Sequence, residues 1–355
     1  MDILIATGKR ENNMNNKYTR YRPMELFLLR SINIFILFFG ICFSSPAMAQ
    51  DFTVTVLGAR GGLDESNLSA YLVRRTGSSR GVLLDAGTVF HGLAIADRRH
   101  AFDDVALAPA PGTARTLALL HQLVGAYLIS HAHLDHVAGL LAVSPEDPGK
   151  TIYALPSVLS VFRDDLFNHR VWPNLADQGA APALGLLHYH PLATGRRQSL
   201  PGTGLSVTPY PLSHAGVEST AFLLRSGEDA LLYLGDTGPD RDKGENRLAA
   251  LWDEVAPLLR THRLKGIVIE CSYDNSRPDG ALFGHLTPRW LLQSLSMLEE
   301  RSGVSLRGFP VLVSHIKPST IRDGAETDRI ASELEQGNRS GIVFTLAEQG
   351  MTIRF

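Results

Sequence analysis

The chain has 355 residues, of which 44% are hydrophobic and 20% charged, a composition typical of a globular protein. This composition excludes a disordered, collagenous or coiled-coil chain, and the length suits one large domain or two smaller ones. Lys and Arg total 34 against 36 Asp and Glu, a net charge of -2. Without a basic surplus, a protein that holds long nucleic acid through its phosphates is not expected.

The first 49 residues have the three parts of a secretory signal peptide. Basic residues such as Arg20 and Arg30 precede the apolar run INIFILFFGICF, and Ala47-Met48-Ala49 forms a small-x-small cleavage site. The apolar run is shorter than the roughly 20 residues that a membrane-spanning helix needs, so an uncleaved anchor is the less favoured alternative. We therefore expect cleavage after Ala49 and a periplasmic or secreted protein without stable membrane insertion.

Removal of the signal peptide changes the charge and the cysteine content. Residues 1–49 contain six Lys or Arg and three Asp or Glu, so the mature chain carries a net charge of -5. Cys42 leaves with the signal peptide and Cys271 is then the single cysteine. The mature chain cannot form an intramolecular disulfide even where the compartment would allow one.

The mature chain alternates short apolar runs with segments of helical periodicity. The predicted strands are FTVTVLG from Phe52, GVLLDAG from Gly81, GAYLIS from Gly125, TIYAL from Thr151, LSVTPY from Leu205, ALLYLG from Ala230, GIVIEC from Gly266 and FPVLVS from Phe309. The predicted helices cover Thr113–Val124, Pro156–Phe167, Glu245–His262, Pro288–Arg301 and Thr327–Gln336. This alternation indicates an α/β protein with mixed sheets.

The turn cluster Pro201-Gly202-Thr203-Gly204 lies near the middle of the chain and could be a linker between domains. The candidate site residues described next come from both sides of this cluster. We therefore predict two halves of one domain over residues 50–355.

The densest group of chemically active side chains is His131-Ala132-His133-Leu134-Asp135-His136, directly after the predicted strand GAYLIS. Imidazole and carboxylate together suit a borderline divalent ion such as zinc. A solvated histidine-rich loop is the alternative. The spacing H-x-H-x-D-H after a buried strand is much more specific than a histidine pair, so it favours a metal site.

Three other apolar strands are followed by the same kind of residue, namely His214, Asp236 and His315. His214 alone would be an ordinary hydrogen-bonded loop histidine. In open α/β sheets, however, ligands bind in the crevice beyond the carboxyl ends of the strands. The coincidence of all these positions therefore predicts one metal site built from distant parts of the chain.

Through HAHLDH at 131–136, His214, Asp236 in LGDTG and His315, the sequence resembles the metallo-β-lactamase superfamily. More narrowly, it resembles the class II 3',5'-cyclic-nucleotide phosphodiesterases. The matching segments run in order through nearly the whole mature chain: LGARGGLDESNLSAYLV from Leu57, LLDAGT from Leu83, SHAHLDHVAGLLAVSPED from Ser130, FNHRVWPNLAD from Phe167, LGDTGPD from Leu234, IECSYDN from Ile269, GHLTP from Gly284 and SHIKPS from Ser314.

The resemblance implies an αββα four-layer sandwich of the α/β class with two divalent metal ions, for which zinc is expected. The implied ligands are His131, His133 and His214 for one ion, Asp135, His136 and His315 for the other, and Asp236 for both. Asp85 is expected to orient the histidine segment, with a turn aspartate capping its own strand end as the alternative. Because Asp236 occupies the position where many lactamases carry Cys, Cys271 is expected to be a buried thiol.

The charges of such a site favour an anionic substrate. Two divalent ions about 4 Å apart repel by roughly 17 kcal/mol at an effective dielectric of 20, so anions must lie between them. Asp135, Asp236 and a bridging hydroxide would leave a net charge of about +1, which favours a singly negative phosphodiester over a neutral amide. We expect the hydroxide to attack a 3',5'-cyclic nucleotide and release the nucleoside 5'-monophosphate.

His285 in FGHLT is the candidate acid for the leaving 3' oxygen, and Glu270 is expected to hold its other ring nitrogen. This assignment follows from the resemblance, and a purely structural histidine is the alternative. With Asp135, these two residues are the expected catalytic set. Substrate contacts are predicted for Asn67, Asn168 and Trp172, which lie in family-matching segments, although a glycine-rich turn and a packed loop would explain the same residues.

Other functions of the same fold remain as alternatives. A phosphodiesterase that acts on RNA ends would use the same metals, but export and an acidic mature chain argue against it. A lactam or thioester hydrolase would belong to a different reaction class, and a metal-dependent binding protein would show no turnover. The preference between cyclic AMP and cyclic GMP is left open, as is the oligomeric state, including a homodimer.

Overall fold

The computed structural model describes residues 51–241, 246–318 and 325–355. The predicted signal peptide, residues 1–49, lies outside these ranges. The described chain forms two seven-stranded sheets. The first sheet has the strand order β14-β1-β2-β3-β4-β5-β6, with β1 Phe52–Gly58, β2 Ala70–Arg75, β3 Gly81–Leu84, β4 Val124–Leu128, β5 Lys150–Ala154, β6 Leu187–Pro191 and β14 Thr352–Arg354.

The second sheet is built from the following part of the chain. Its order is β13-β12-β11-β10-β9-β8-β7, with β7 Gln198–Leu200, β8 Leu205–His214, β9 Val217–Ser226, β10 Asp229–Leu234, β11 Leu264–Glu270, β12 Pro310–Ser314 and β13 Val343–Leu346. The helices are α1 Phe90–Arg98, α2 Arg115–Leu123, α3 Leu134–Val143, α4 Pro156–Val161, α5 Arg247–Arg260, α6 Pro288–Ser302 and α7 Ala325–Gly337. Among the described residues, no helix has the length and apolar character needed to cross a bilayer.

Side chains along each strand alternate between the two faces of its sheet, and their apolar members form three layers. In β3, Leu83 packs in the cluster that contains the buried faces of α1 to α3, whereas Val82 and Leu84 pack in the cluster between the two sheets. In β10, Leu232 likewise joins the cluster beneath α5, α6 and α7, and Leu231 joins the cluster between the sheets. Successive side chains of a strand point to opposite faces. The predicted αββα sandwich is confirmed.

The predicted strands and helices all have counterparts, although several elements escaped the sequence patterns. The strands β2, β6, β7, β9, β13 and β14 and the helices α1 and α3 were not predicted. The helix α3 begins at Leu134 inside the histidine motif, so Asp135 and His136 lie in its first turn rather than in a loop. The turn cluster at 201–204 connects the antiparallel strands β7 and β8, and is therefore a hairpin turn and not a linker.

The direction of the strands in each sheet determines where the polar residues at their ends come together. The strands β3 to β6 are parallel to one another, and so are β10 to β13. His131, Asp236 and His315 follow the carboxyl ends of β4, β10 and β12. The carboxyl ends of parallel strands form the ligand-binding crevice of an α/β sheet. In this protein, strands of both sheets end at the same crevice.

A buried ion pair lies at the start of β5 on the first sheet, and its lysine also bonds to α2. The ammonium of Lys150 lies 3.1 Å from Asp147 Oδ1 and donates to the carbonyls of Leu120 and His121 at 3.2 Å each. The hydroxyl of Tyr127 donates to Asp147 Oδ2 at 2.6 Å. Burial lowers the pKa of Lys150 and raises that of Asp147, so each charge depends on the other.

We predict that Asp147→Ala lowers the free energy of unfolding by about 3–5 kcal/mol, because it leaves the Lys150 ammonium buried without a counter-charge. Urea unfolding followed by circular dichroism measures this loss. Asp147→Ala combined with Lys150→Met should recover part of it. The exposed Asp103, which pairs with His100, provides the control, and Asp103→Ala should change stability little. Equal effects of the two single variants would contradict the prediction.

Candidate metal centre

The seven predicted ligands come from five places in the fold. His131 and His133 lie between β4 and α3, and Asp135 and His136 lie in the first turn of α3. His214 is the last residue of β8. Asp236 lies a short distance beyond β10, and His315 directly follows β12. The structure brings all seven side chains together.

Asp236 lies at the middle of this cluster. Its Oδ2 atom is 3.2 Å from Nε2 of His315 and 3.3 Å from Nε2 of His136. The same oxygen lies 3.8 Å from Nε2 of both His131 and His214. One carboxylate therefore faces both sets of histidines, which is the arrangement that a bridging ligand requires.

The remaining ligands form two groups around Asp236. In the first group, Nδ1 of His133 lies 3.0 Å from Nε2 of His131 and 3.2 Å from Nε2 of His214. These three residues can hold one metal ion together. The resemblance implies this set for one ion; the possible ligand sets overlap, because His214 and Asp236 also form a set with His285.

In the second group, Nε2 of His315 lies 3.1 Å from Nε2 of His136 and 3.3 Å from Oδ2 of Asp135. These residues also form a set that can hold a metal ion. His133 is exposed and Asp135 half-buried, whereas the other five ligands are buried. The centre is therefore open to solvent on the side of His133 and Asp135, and a substrate can approach there.

The outer ring nitrogens of four of these histidines face hydrogen-bond acceptors. In four of the rings, Nδ1 faces an oxygen atom: Ser130 Oγ for His131 at 3.0 Å, Asp85 Oδ2 for His136 at 2.8 Å, the Gly284 carbonyl for His214 at 2.9 Å and Ser272 Oγ for His315 at 2.9 Å. A ring that donates its outer N–H in this way turns an unprotonated nitrogen towards the cluster. This donor set fits divalent metal ions.

The electrostatic environment differs from one donor to the next. Burial opposes the charged form of His136, but Asp236 and Asp85 outweigh burial and raise the pKa of this ring well above its usual value. Burial lowers the pKa values of His131, His133 and His214, so these rings are neutral. Burial opposes ionisation of Asp135 and Asp236, but the facing imidazoles outweigh it and hold both pKa values below their usual range. Neutral imidazoles and ionised carboxylates are the ligands that zinc and similar ions take.

Asp85 supports the histidine segment from below. It is fully buried after β3, and its carboxylate accepts from the Ser130 amide and hydroxyl at 2.7 Å each and from the Tyr233 hydroxyl at 2.5 Å. The bond to His136 completes this set at 2.8 Å. Its partners lie 45 or more residues away, so the carboxylate orients the histidine segment and does not cap its own turn.

We predict that Asp85→Asn weakens metal binding by about 10–100-fold, because an amide cannot accept all of these bonds while fixing the His136 ring. Competition with a chromogenic chelator measures the affinity. Asp103→Asn, which changes an exposed carboxylate, should leave the affinity unchanged. Unaltered metal binding by folded Asp85→Asn protein would remove Asp85 from this role.

Glu270 and His285 form a pair beside the cluster. Glu270 Oε1 lies 2.8 Å from Nδ1 of His285, as predicted, and the Ser272 hydroxyl donates to Glu270 Oε2 at 2.7 Å. The His285 ring lies 4.7 Å from the His214 ring and 5.3 Å from the His315 ring. Burial opposes the charged form of His285, but Glu270 outweighs burial and raises the pKa of the imidazole. Glu270 therefore favours the protonated form of His285.

The three predicted substrate contacts bond mainly to their surroundings. Asn67 Oδ1 accepts from the Ala59 amide at 2.9 Å, and Asn168 Oδ1 accepts from the amides of its neighbours at 170 and 171. Trp172 packs against the core of the first sheet and donates to Ser144 Oγ at 3.2 Å. These bonds describe structural roles, and contact with substrate stays a prediction. Cys271 is buried as predicted, and burial raises the pKa of its thiol.

Sequence reasoning missed several residues that surround the centre. Ser130, Ser272 and Tyr233 bond to the outer atoms of the ligands or of Asp85. Lys317, in the SHIKPS segment, places its ammonium 3.9 Å from Asp135 Oδ2. Hydroxyl groups that support a site have no characteristic spacing in the sequence. Lys317 could be noticed only because it lies in the segment SHIKPS, which matches the family.

Comparison with known proteins finds relatives over most of the chain. A 3',5'-cyclic-nucleotide phosphodiesterase of Aliivibrio fischeri is 38% identical over 88% of this chain and 96% of its own length. A cAMP/cGMP-dependent 3',5'-cAMP/cGMP phosphodiesterase A of Dictyostelium discoideum is 31% identical over 83% of this chain and 79% of its own.

Solved structures show the same likeness. The crystal structure of unliganded yeast PDE1 aligns with a TM-score of 0.72 at 25% identity, over 86% of this chain and 99% of that one. The metallo-β-lactamase fold protein YhfI of Bacillus subtilis aligns with a TM-score of 0.56 at 15% identity, over 86% and 99% of the two chains, and shares the fold. The family model described as class-II cAMP phosphodiesterases matches residues 48–350. The chain belongs to the class-II cAMP phosphodiesterases.

Proposed function

We propose that this protein hydrolyses 3',5'-cyclic nucleotides to nucleoside 5'-monophosphates, and that zinc occupies its metal centre. The observation that carries the proposal is the position of Asp236 between two ligand groups, with the Glu270–His285 pair beside them. Two cation sites suit an anionic phosphodiester, and an adjacent acid suits a leaving alkoxide. The names of the relatives agree with this chemistry.

The residues divide the metal sites between them. His131, His133 and His214 would hold one ion, Asp135, His136 and His315 the other, and Asp236 both. Five imidazoles among seven ligands favour zinc over the harder magnesium and calcium ions, which prefer oxygen. Divalent ions in such a site supply positive charge for the phosphoryl oxygens and activate water at neutral pH.

His285 is the residue that delivers the proton. Its Nδ1 is held by Glu270, while Nε2 has no hydrogen-bond partner in the described part of the chain. Cleavage of the bond between phosphorus and the 3' oxygen leaves an alkoxide, which takes the proton from Nε2 as it forms. Ionised Glu270 keeps the imidazolium oriented and compensates its charge.

Metal analysis and product identification on the same sample test the proposal. The metallated mature protein should convert cyclic AMP and cyclic GMP to the 5'-monophosphates, with two zinc ions per chain. Rates on a β-lactam, a thioester and an RNA 3' end should be far lower. His133→Ala removes one ligand and should lower both metal content and rate. A fully metallated protein that cleaves one of the other substrates, or none, would overturn the proposal.

We also propose that the protein is exported after cleavage at Ala49. The support is the charged, apolar and small-residue pattern of residues 1–49. Sequencing the amino terminus of protein recovered from the periplasm and from the medium checks this. An intact amino terminus in the cytoplasmic fraction would contradict export.

A further inference from the structure

A cavity of about 500 Å³ lies directly beside the metal centre. Two of its lining residues contact the site described above. Lys317 places its ammonium 3.9 Å from Oδ2 of Asp135, and the Tyr273 ring meets the His285 ring edge-on with 5.7 Å between the centroids. The cavity therefore connects a metal ligand with the residue that is placed to protonate the leaving oxygen.

Two large apolar side chains stand outward near this cavity. Leu63 lines it and is 69% exposed, and Phe283 is 62% exposed. Both residues have left-handed backbone conformations, with φ values of 47° and 51°. Exposure of large apolar groups and a positive φ for such residues both have a free-energy cost, and such strain is characteristic of binding sites.

Arg277 connects the aromatic residues of this region. Its guanidinium lies 4.4 Å from the centroid of the Tyr273 ring and 5.4 Å from that of Phe283. Its Nε donates to the Ala281 carbonyl at 2.7 Å, and no carboxylate of the described residues forms an ion pair with it. Together, Tyr273, Arg277 and Phe283 form a surface of two aromatic rings and one planar cation.

The cationic side chains that line the cavity differ in how many carboxylates they pair with. Arg329 is paired with Asp274 at 3.0 Å and with Glu326 at 3.0 Å. Lys317 is within ion-pair distance of Asp135 alone among the described residues. Lys317 is thus the cation that can also reach an anion at the edge of the metal centre, where a phosphoryl oxygen of the substrate has to lie.

We propose that this cavity is the nucleoside subsite, an inference that rests on the proposed function. The purine base stacks on the surface formed by Arg277 and Phe283, Leu63 covers it from the other side, and the Lys317 ammonium pairs with the anionic diester. Tyr273 lines the cavity and its ring meets the His285 ring, so a diester whose 3' oxygen faced His285 would direct its 1' carbon and base towards this space. Stacking on aromatic and guanidinium faces is the usual way in which proteins hold an unpaired base.

A second cavity adjoins the centre on the side of His133, but its chemistry suits the nucleotide less well. It measures about 270 Å³ and is lined by aliphatic residues, among them Val161 and Val217. Glu218 also lines it, and its carboxylate accepts a hydrogen bond from the Ser157 hydroxyl. Among the described residues, the ring of His133 is the single aromatic ring that lines this cavity, and the Glu218 carboxylate would repel an anionic substrate.

The test compares cyclic AMP with 1-deoxyribose 3',5'-cyclic phosphate, which has the same cyclic diester and no base. Phe283→Ala and Arg277→Ala should each raise KM for cyclic AMP at least about fivefold, equivalent to about 1 kcal/mol. They should leave KM and kcat on the abasic diester unchanged and retain the metal content. Phe90→Ala, at an exposed phenylalanine elsewhere, is the matched control and should affect neither substrate.

Further variants separate the parts of the proposal. Leu63→Ala should behave like Phe283→Ala, and Lys317→Gln should raise KM for both substrates because both carry the diester. Val217→Ala, in the other cavity, should change neither. The proposal is overturned if Val217→Ala alone raises KM for cyclic AMP, or if Phe283→Ala and Arg277→Ala affect both substrates equally or not at all. Failure of metallated wild-type protein to hydrolyse either diester would instead contradict the proposed function, and the subsite with it.

Discussion

Replacing His285 by alanine is expected to lower kcat on cyclic AMP by about 10²–10⁴-fold while two metal ions per chain are retained. The reason is the geometry of its pair with Glu270: Nδ1 is held at 2.8 Å, and the other nitrogen faces no partner among the residues that the structure describes. Without this acid, the 3' alkoxide has to leave without a proton. Steady-state kinetics and elemental analysis of the same preparation measure both quantities.

The leaving group provides the decisive control for this prediction. A nitrophenyl phosphodiester releases a phenolate that is stable near neutral pH, so it needs no proton from the protein. Turnover of this substrate by His285→Ala should fall much less than turnover of cyclic AMP. Loss of metal, or an equal loss on both substrates, would show that His285 supports the centre and is not its acid.

The pH dependence should follow the same pair. Glu270 raises the pKa of His285, so the protonated, active form persists above the ordinary pKa of a histidine and is lost as the pH rises through the raised value. In Glu270→Gln the counter-charge is absent. The alkaline limb of kcat for cyclic AMP should therefore move to lower pH, which a rate profile between pH 5 and 10 measures. A limb that stays in place would assign it to another group.

Asp236→Asn is expected to lower turnover by at least about 10³-fold and to reduce the metal content below two ions per chain. Oδ2 of Asp236 lies within 3.8 Å of inner nitrogens from both ligand groups. Two divalent ions about 4 Å apart repel by roughly 17 kcal/mol at an effective dielectric of 20, and a neutral amide compensates none of this repulsion. Elemental analysis after gel filtration and steady-state rates on cyclic AMP are the measurements.

The control for Asp236→Asn is a change of the same type away from the centre. Asp103→Asn alters an exposed carboxylate on the first sheet's side of the protein and should leave metal content and rate unchanged. Full occupancy by two ions together with normal turnover in Asp236→Asn would contradict the bridging role. The residual activity of a one-ion protein would show how far a single site can act.

The side chains that gather around Asp236 could be predicted because their signals are local. Four of them stand within six residues at His131, His133, Asp135 and His136, and the others stand at or just beyond the ends of apolar strands, where the α/β architecture gathers side chains at one edge. The fold class could be predicted for a similar reason, because alternating strand and helix patterns restrict how the layers can pack. The elements that escaped prediction include the short strands β7 and β14 and the helix α3, whose first turn is occupied by the histidine motif.

The surroundings of the centre depend on contacts between positions that are far apart in the chain. Asp85 meets Tyr233 across 148 residues, and Lys317, just beyond β12 of the second sheet, meets Asp135 at the start of α3. The outward placement of Leu63 and Phe283 also has no periodic signature, because it arises from left-handed backbone positions in two loops. A short segment of the sequence indicates which side chains are available as ligands. Whether a given side chain faces the substrate depends on how the two sheets pack, because that packing sets the distances between residues that no local pattern relates.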